Sequence, residues 1–526
     1  MRYDGIILGA GHNSLVLQAY CSRAGMKTLS LEKSQIAGGG LSTMEDPRHP
    51  GFLHNTHSYF HRAITEMPWY RDLELDYRGA KYFEPELNTA LVLKSGEALK
   101  WYTDFEKTVA SFASFSERDA QTLQKWKQDF SSVVEKILGP EALRVPMEPE
   151  KRNHWLDSLP EGRLLKKVSR FSPLEFVMTE FENPIIQAGL LFFNGLREVD
   201  LRCKGMGYHI PMLLASKRKA QACYGGSASL ARALVHAVRD AGGEIRYQAT
   251  PKRILTNKKT VTGVELETGE VISADWVASG LNPHQTFLDL LGNSDLPREW
   301  RTYAEKFQYN LIAPLFSLNL NLHEAPAYCA EEKHPDLQQA LMVILGLEHL
   351  DQYPQIVKAH ENGQLPPPVM WGSTPTMHDP SQAPAGKHVS FMWEKLPYRL
   401  NGNPASWDAA RKPHGEAMLR FWEQYAPNLG RAVIDWFTRS PADVERSFPN
   451  MKEGDLLIGA FTNGQLGYNR PFPGAGEYRG YFDGLYLCGS CTHPGGNITG
   501  LPGYNAAHVL LQDHAGSAAN AILPQT

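Results

Sequence analysis

Asp4-Gly5-Ile6-Ile7-Leu8-Gly9-Ala10-Gly11-His12-Asn13-Ser14 decides the fold of this chain, because an apolar run ends there in two spaced glycines. A helix-like segment over 13–23 follows, and the segment 28–32 indicates a second strand. A strand, a helix and a second strand in this order form the βαβ unit that binds dinucleotides. Gly9 permits the tight turn, and Gly11 lets a pyrophosphate approach the helix N-terminus, where free N–H groups favour an anion.

Three further positions bear on which dinucleotide binds. Ser14 stands where the fingerprint has its third glycine, a position that serves helix packing, so a small side chain should fit. Glu32 ends the second strand and is placed to accept hydrogen bonds from ribose hydroxyls. Gly38-Gly39-Gly40 is a second glycine cluster of the kind seen in FAD enzymes of the glutathione-reductase-like class. We therefore expect FAD, although a glycine-rich turn without a ligand stays open.

Length and composition describe an ordinary globular protein. The chain has 526 residues, of which 42% are hydrophobic and 21% charged, so two domains are expected. A net charge of -4 gives no reason to expect a nucleic-acid partner. We find neither an apolar run long enough to span a bilayer nor a signal peptide, and we expect a cytoplasmic enzyme.

One cysteine pair has redox spacing. The six cysteines are too scattered for a disulfide framework, but Cys488 and Cys491 are separated by two residues. In thioredoxin-type proteins such a pair opens a helix, whose dipole lowers a thiol pKa. Here the pair ends an apparent strand over 484–487. We expect no working dithiol, and a disulfide-reductase activity remains an alternative.

Three histidines, His54, His57 and His61, lie within eight residues. Their spacing is three and then four, and no carboxylate cluster or cysteine accompanies them, so no metal site is predicted. Histidines that line a polar pocket near the cofactor and ordinary packed histidines are the remaining alternatives.

The rest of the chain predicts an α/β protein with two discontinuous units. An apolar segment over 173–214 could form core, a substrate tunnel wall or a membrane-facing patch. A helix over 230–241 and strands up to 279 return the chain to the nucleotide-binding unit, whereas 296–449 alternates strands and helices. We expect a Rossmann-like FAD-binding domain and an α+β substrate domain. The FAD-binding domain comprises 1–75, 215–295 and 450–526, and the substrate domain comprises 76–214 and 296–449.

The C-terminal stretch over 484–500, Gly-Leu-Tyr-Leu-Cys-Gly-Ser-Cys-Thr-His-Pro-Gly-Gly-Asn-Ile-Thr-Gly, makes a family recognisable. With the glycine-rich turn and the segments 50–52, 115–120, 384–388 and 505–508, it resembles the phytoene-desaturase-like branch of the FAD-dependent amine-oxidase superfamily, which is related to carotenoid desaturases and isomerases. The similarity spans nearly the whole chain.

This resemblance implies a set of FAD-contacting residues. They are Gly9, Gly11, His12, Asn13, Ser14, Glu32, Lys33, Gly39, Gly40, Leu41, Pro251, Gly489, Ser490, Asn497, Ile498 and Thr499. Pro251 departs from the family, whose members usually have a valine that contacts adenine through its backbone there, because proline lacks the N–H. FAD should be non-covalent, since 463–470 has no cysteine or histidine where amine oxidases carry their linking cysteine.

The resemblance implies an FAD-dependent dehydrogenase or desaturase. It would transfer a hydride from a largely apolar small molecule to flavin N5 and form a C=C bond, with dioxygen or a quinone as the electron acceptor. An amine oxidase is one alternative: Tyr468 and Tyr504 could form its aromatic pair, although 456–507 contains no lysine. A non-catalytic, FAD-stabilised protein is another. Peripheral membrane contact and the oligomeric state stay open.

We predict that four side chains act on the substrate side of the flavin: His54, His57, Tyr59 and Tyr504. Imidazole titrates near neutrality, and a phenol donates a hydrogen bond while staying neutral, so both suit acid and base roles. His57 and Tyr504 are the preferred pair, because close relatives tend to carry other residues at these two positions. His493 is a weaker candidate, since the loop around it resembles a cofactor motif.

Overall fold

The structure is a computed structural model that describes residues 2–194, 199–217, 219–292 and 294–515. Its strands are β1 Arg2–Leu8, β2 Thr28–Leu31, β3 Thr43–Glu45, β4 Leu53–Asn55, β5 Phe60–Arg62, β6 Tyr82–Phe83, β7 Leu87–Val92, β8 Ala98–Tyr102, β9 Ala220–Cys223, β10 Glu244–Arg246, β11 Pro251–Asn257, β12 Thr260–Leu266, β13 Val271–Ser279, β14 Leu315–Leu322, β15 Ala340–Leu345, β16 Met370–Ser373, β17 His388–Lys395, β18 Val433–Arg439 and β19 Leu485–Leu487.

The α-helices are α1 His12–Arg23, α2 Pro68–Asp72, α3 Phe105–Ala113, α4 Glu117–Val133, α5 Gly139–Ala142, α6 Pro149–Ser158, α7 Pro160–Val168, α8 Pro173–Glu180, α9 Pro184–Asn194, α10 His209–Ala215, α11 Ala228–Asp240, α12 Arg298–Glu305, α13 Gln352–Glu361, α14 Trp407–Glu423, α15 Leu429–Ala432, α16 Pro441–Ser447 and α17 Leu501–Ala515.

The first sheet carries the glycine-rich turn. Its strands follow the order β10-β2-β1-β13-β12-β11, and β19 pairs with β13. The pairs of β1 with β2 and β13, of β10 with β2, and of β19 with β13 are parallel, whereas β11 and β12 are antiparallel additions. α1 therefore connects two adjacent parallel strands, and the turn between β1 and α1 lies at the carboxyl edge of the sheet, where such folds bind ligands.

The second sheet builds the opposite half of the molecule. Its order is β18-β14-β17-β16-β15-β7-β8, and it is antiparallel apart from the β7 and β15 pair. Every residue of β14 is buried, including Ser317, Asn319 and Asn321. One face of β14 is thus polar although it is inside the protein, and the histidine-rich segment 54–61 reaches this face through His54. The predicted mixed α/β fold is confirmed.

The apolar segment 173–214 contributes largely to the core. Buried residues of α8, α9 and α10 pack with α4 in one hydrophobic cluster. Within the four described ranges of the chain, no helix is both long and apolar enough to cross a bilayer. The proposed boundaries of the two domains stay a prediction, although the first sheet takes its strands from 2–31, 244–279 and 485–487, and the second from 87–102 and 315–439.

Candidate active site

Gly11 shows that the turn between β1 and α1 is shaped for a ligand. It is the N-cap of α1 with a φ of -72°, which any residue adopts, and no side chain caps the helix. A Cβ built on Gly11 would meet nothing within 4 Å. Neither backbone strain nor packing therefore requires glycine here, at a position where serine or aspartate would stabilise the helix. A ligand that approaches the backbone and the helix N-terminus explains the residue.

Two buried polar atoms at the start of α1 lack a hydrogen-bond partner among the described residues. Nε2 of His12 and Oδ1 of Asn13 are buried without a hydrogen-bond partner in the described part of the chain. Asn13 Nδ2 donates to Ser490 Oγ at 3.0 Å, so the first turn of α1 is tied to the loop that follows β19. Burial lowers the pKa of His12 to about 4, so its ring is neutral at pH 7. Buried polar atoms are normally satisfied, and a bound group could complete these two.

The second glycine cluster packs directly on this turn. Gly38 N donates to Ala10 O at 2.8 Å, and a Cβ on Gly39 would lie 3.2 Å from Gly11 Cα. Gly40 lines the main cavity, and Leu41 is buried. The two glycine clusters, separated by 26 or more residues of sequence, therefore form one backbone surface.

Glu32 holds the turn from the end of β2. Its two carboxylate oxygens accept hydrogen bonds from Ala10 N and Ser34 N, both at 2.8 Å. Each oxygen can still accept another donor, so the predicted ribose contact is compatible with these bonds. Lys33 is exposed, and Pro251 begins β11 opposite Leu266. The predicted contacts of Lys33 and Pro251 stay predictions.

The loop after β19 and the start of α17 close the same site. A Cβ on Gly503 would lie 1.9 Å from Asn13 O, so α17 crosses the start of α1 in close contact. Trp69 Nε1 donates to Thr499 O at 2.7 Å and fixes the end of the loop. Asn497, at a φ of 86°, is exposed, and it lines the cavity together with Ile498 and Thr499. Two helix N-termini and a glycine surface thus converge, and these residues fit FAD.

One large cavity begins at this loop. It has a volume of about 1620 Å³, larger than the 300–1,000 Å³ typical of small-molecule pockets, and it can hold a flavin ring and a substrate together. One wall is formed by Gly40 and the loop 493–501, and the far end by the helical region 134–170 and by α10. Part of the segment 173–214 is therefore a cavity wall as well as core.

The opposite wall is the face of the second sheet. Leu315, Trp371, Trp393 and Lys395 line the cavity from β14, β16 and β17. Trp371 and Trp393 are paired across the ladder, as are Leu315 and Lys395. The sequence analysis did not identify these residues. Alternation along β17 could have placed 391, 393 and 395 on one face, but nothing in the sequence says which face meets the cavity.

Of the four predicted catalytic residues, His57 and Tyr59 line the cavity. His57 Nδ1 lies 3.0 Å from Thr56 Oγ1, and Nε2 is buried with no partner among the residues described. Burial, with a contribution from Arg439, lowers the pKa of His57 to about 3. Burial raises the pKa of Tyr59, whose ring contacts Phe391 at 5.5 Å. Both side chains are neutral at pH 7, so His57 is a weak base and Tyr59 can donate a hydrogen bond.

The other two predicted catalytic residues lie elsewhere. Tyr504 is 1% exposed and packs between Tyr20 and His508, with ring centroids 5.6 Å and 4.4 Å away. It belongs to the contact between α1 and α17 and is not part of the cavity wall. His54 pairs with Asn321 Oδ1 at 2.7 Å under the second sheet. Neither side chain lines the cavity, and the catalytic roles predicted for them stay predictions.

Two further histidines border the cavity. His493 Nε2 lies 2.8 Å from Glu141 O, and burial lowers its pKa to about 4. His61 pairs with Tyr82 and Ser58, and burial lowers its pKa to about 3. Both rings have protein partners, which suits a structural role.

One group of acidic and histidine side chains is close enough together to hold a metal ion, but an arginine side chain already lies among them. Asp46, His49 and Asp435 place ligand atoms within 4.8 Å of one another. Arg48 forms ion pairs with both carboxylates, at 3.2 Å and 2.9 Å. A guanidinium thus supplies the positive charge that the acidic groups require.

Cys488 and Cys491 are both free and buried. Burial raises the pKa of each thiol to about 12, the opposite of the shift that activates a redox thiol. The thiol of Cys491 donates to Leu281 O at 3.5 Å. These environments are those of structural cysteines.

Comparisons with known proteins indicate which class of enzyme the chain is similar to. No protein family model matches it. It is 28% identical to a limonene dehydrogenase polypeptide of Castellaniella defragrans, over 97% of this chain and 94% of that protein. It is 22% identical to a lycopene-forming phytoene desaturase of a Paracoccus species, over 97% of both chains. The chain is thus similar to a dehydrogenase and a desaturase over nearly its whole length.

A solved structure is similar to this chain in fold. A putrescine oxidase variant, redesigned at its cofactor site, superimposes with a TM-score of 0.62 at 13% identity, over 97% of this chain and 99% of that one. At this identity the likeness concerns the fold alone. The two relatives described above are a dehydrogenase and a desaturase, which confirms the predicted oxidoreductase class.

Proposed function

We propose that this protein is an FAD-dependent dehydrogenase that introduces a C=C bond into a largely apolar small molecule. The observation that carries the proposal is the single cavity that runs from Gly40 and the loop 493–501 to the sheet face around Trp371. We infer that the first sheet forms a glutathione-reductase-like FAD domain. The activities after which two relatives are named, limonene dehydrogenase and phytoene desaturase, support the reaction class.

The chain's own residues would hold the cofactor and shape the reaction. The N-termini of α1 and α17 favour the pyrophosphate and the electron-rich edge of the flavin, respectively. Bound FAD would accept a hydride at N5. The loop and the sheet face would position the substrate between them, and burial keeps His57 and Tyr59 neutral beside it. Dioxygen or a quinone would reoxidise the flavin.

Non-covalent binding of FAD is part of the proposal. The segment 463–470, which borders the cavity, offers no cysteine or histidine for a covalent link. Acid precipitation of the purified protein should leave all yellow colour in the supernatant. Colour that stays with the pellet would contradict the proposal. A cytoplasmic location and a peripheral membrane contact stay predictions.

One observation favours amine oxidation as the second candidate. Lys395 lines the cavity, so a lysine is present although the segment 456–507 contains none. The proposed aromatic pair is not formed, because Tyr468 lines the cavity but Tyr504 does not.

Anaerobic mixing of the holoenzyme with isoprenoid, alicyclic and amine substrates tests both candidates. The flavin band near about 450 nm should bleach with an alicyclic or isoprenoid compound. Bleaching by amines alone would favour the second candidate. An absence of bleaching with every compound would leave a protein that binds FAD without turnover.

A further inference from the structure

Positive charge collects at the helical end of the cavity. Among the described residues that line the cavity, seven are arginine or lysine and two are glutamate. The whole chain carries a net charge of -4, so its composition does not explain this local excess. Two of the cations, Arg62 and Lys395, lie on strands. The helical end contributes the other five, which are Arg144, Arg152, Lys166, Arg170 and Lys217.

Both glutamates of the cavity wall are already paired. Glu141 forms an ion pair with Arg152 at 2.6 Å, and Glu135 forms one with Lys217 at 2.5 Å. Each of these pairs is close to neutral, so neither glutamate compensates a further cation. The charge of the remaining cations at this end therefore has no counterpart among the described residues of the wall.

The remaining cations are accessible to a ligand. Arg144 and Arg170 are exposed and line the cavity, which therefore reaches the protein surface at this end. Neither forms an ion pair within the described ranges, although the Arg144 guanidinium lies 5.5 Å from the ring centroid of Trp155. Lys166 pairs with Asp157 at 2.7 Å, but its side chain is 38% exposed. We call Arg144, Lys166 and Arg170 the cation rim.

The wall beside the cation rim is apolar. Leu138, Leu165 and Met212 line the cavity there, and Leu165 directly precedes Lys166 in α7. Apolar surface favours the burial of a hydrocarbon part, whereas arginine binds anionic oxygens in charge-assisted hydrogen bonds. This end of the cavity thus fits a ligand with an apolar body and one anionic group.

α7 offers a comparison with cations outside the cavity. Arg163 and Lys167 are exposed like Arg170 but do not line the cavity. A lipid surface would attract all three cations, since all three are exposed. A ligand inside the cavity can reach Arg170 and not the other two, so the two kinds of partner predict different effects of substitution.

We infer that the cation rim binds the anionic head group of an amphipathic substrate, whose apolar part extends into the cavity towards the loop 493–501. The inference rests on the proposed dehydrogenase function and narrows its substrate class. FAD does not explain the rim, because its pyrophosphate is expected at the start of α1, where the glycine-rich turn lies. An anion held at the rim would decide which carbon atoms of the apolar part lie beside the flavin.

Titration calorimetry of the holoenzyme tests the inference. The probes are geranate and geraniol, an acid and an alcohol with the same isoprenoid skeleton, and the acid is ionised at pH 7.5. Geranate should bind about fivefold more tightly than geraniol at about 20 mM salt. This advantage should disappear at about 500 mM salt, because salt screens exposed charges. Equal affinities at low salt, or a difference that salt does not change, would overturn the inference.

Charge variants separate the cation rim from the rest of the surface. Arg170→Gln should weaken geranate binding by about fivefold and leave the affinities for geraniol and FAD unchanged. Lys167→Gln removes the same charge from α7 outside the cavity and should change none of the three. Equal losses of geranate affinity in the two variants would overturn the inference. A loss of FAD affinity in Arg170→Gln would also overturn it, since the rim would then serve the cofactor.

Flotation with vesicles of phosphatidylserine and phosphatidylcholine tests a lipid surface as the partner. Arg170→Gln and Lys167→Gln should behave alike in this assay. Vesicle binding that only Arg170→Gln reduces, with unchanged geranate affinity, would overturn the inference. Binding is read without turnover in all of these experiments. A flavin that no substrate bleaches would therefore refute the proposed function while the binding results stand.

Discussion

The glycine-rich turn and the sheet face of the cavity are the two halves of one site, and they differ in what builds them. The turn is made of backbone, where Gly11 at the start of α1 and Gly39 approach each other, and each belongs to a glycine motif whose internal spacing is short and fixed. The sheet face is made of side chains from β14, β16 and β17, which come together only through strand pairing. A site built from backbone can be recognised in the sequence by its glycine motifs. A site whose side chains meet only through strand pairing cannot.

Substitution of Gly11 should have the largest effect of the changes considered. It tests whether the glycine-rich turn binds FAD. Gly11→Val should weaken FAD binding by about a hundredfold or more, because the added side chain enters the space that the pyrophosphate needs. The fold should survive, since a Cβ there meets no protein atom within 4 Å. Isothermal titration of the apoprotein with FAD measures the loss.

Gly242→Ala is the matched control for this substitution. It also adds a Cβ into open space, but at a φ of 84° and after the end of α11. It should lower the free energy of unfolding by about 1 kcal/mol and leave FAD affinity unchanged. Normal FAD binding by Gly11→Val would remove the turn from the site.

The buried histidines predict a large effect of pH on stability. Burial lowers the pKa of His54 and His493 to about 4 and of His57 and His61 to about 3. The unfolded chain takes up these protons near pH 6.5, so the free energy of unfolding is full above that pH and falls as the pH drops towards 4. Urea unfolding between pH 7.5 and 5 should reveal a loss on the order of several kcal/mol.

A single-residue variant sharpens this test. His54→Gln keeps a hydrogen-bonding group next to Asn321 but cannot titrate. The slope of unfolding free energy against pH should decrease by the contribution of one proton. A stability that does not change over this pH range would contradict the neutral, buried histidines on the sheet side of the cavity.

Substitution of two tyrosines compares a residue that lines the cavity with one that packs outside it. Tyr59→Phe should slow flavin reduction by about tenfold, since Tyr59 lines the cavity. Tyr504→Phe should change the rate less than about twofold, because that ring packs on Tyr20 inside the first unit. Anaerobic stopped-flow spectroscopy measures both rates with FAD bound. The reverse order would restore Tyr504 as the catalytic residue and would contradict the geometry of the site.

The cysteines should have the smallest effect. The double variant Cys488→Ser and Cys491→Ala should leave flavin reduction unchanged and cost about 1–2 kcal/mol of stability from altered packing. Holoenzyme absorbance and a thermal melt check both. A loss of turnover with FAD still bound would revive the disulfide-reductase alternative.

The sequence predicted the cofactor half of the site more fully than the substrate half. The βαβ unit and the second glycine cluster were predicted from local spacing, and the loop after β19 from the family resemblance. In the structure the three meet. The catalytic role of Tyr504, inferred because close relatives tend to carry another residue there, stays a prediction. In the structure its ring packs against Tyr20, where α17 crosses α1. Trp371 and Trp393 carried no signal, since an indole in a strand is most often core.

Product analysis after a single anaerobic turnover tests the central claim most directly. Holoenzyme is mixed with a limiting amount of the compound that bleaches the flavin, and the product is identified by mass spectrometry. We predict a product that keeps every heavy atom, lacks two hydrogen atoms and has one new C=C bond, in equal amount to the reduced flavin. Loss of nitrogen from the substrate, or reduced flavin without any dehydrogenated product, would contradict the claim.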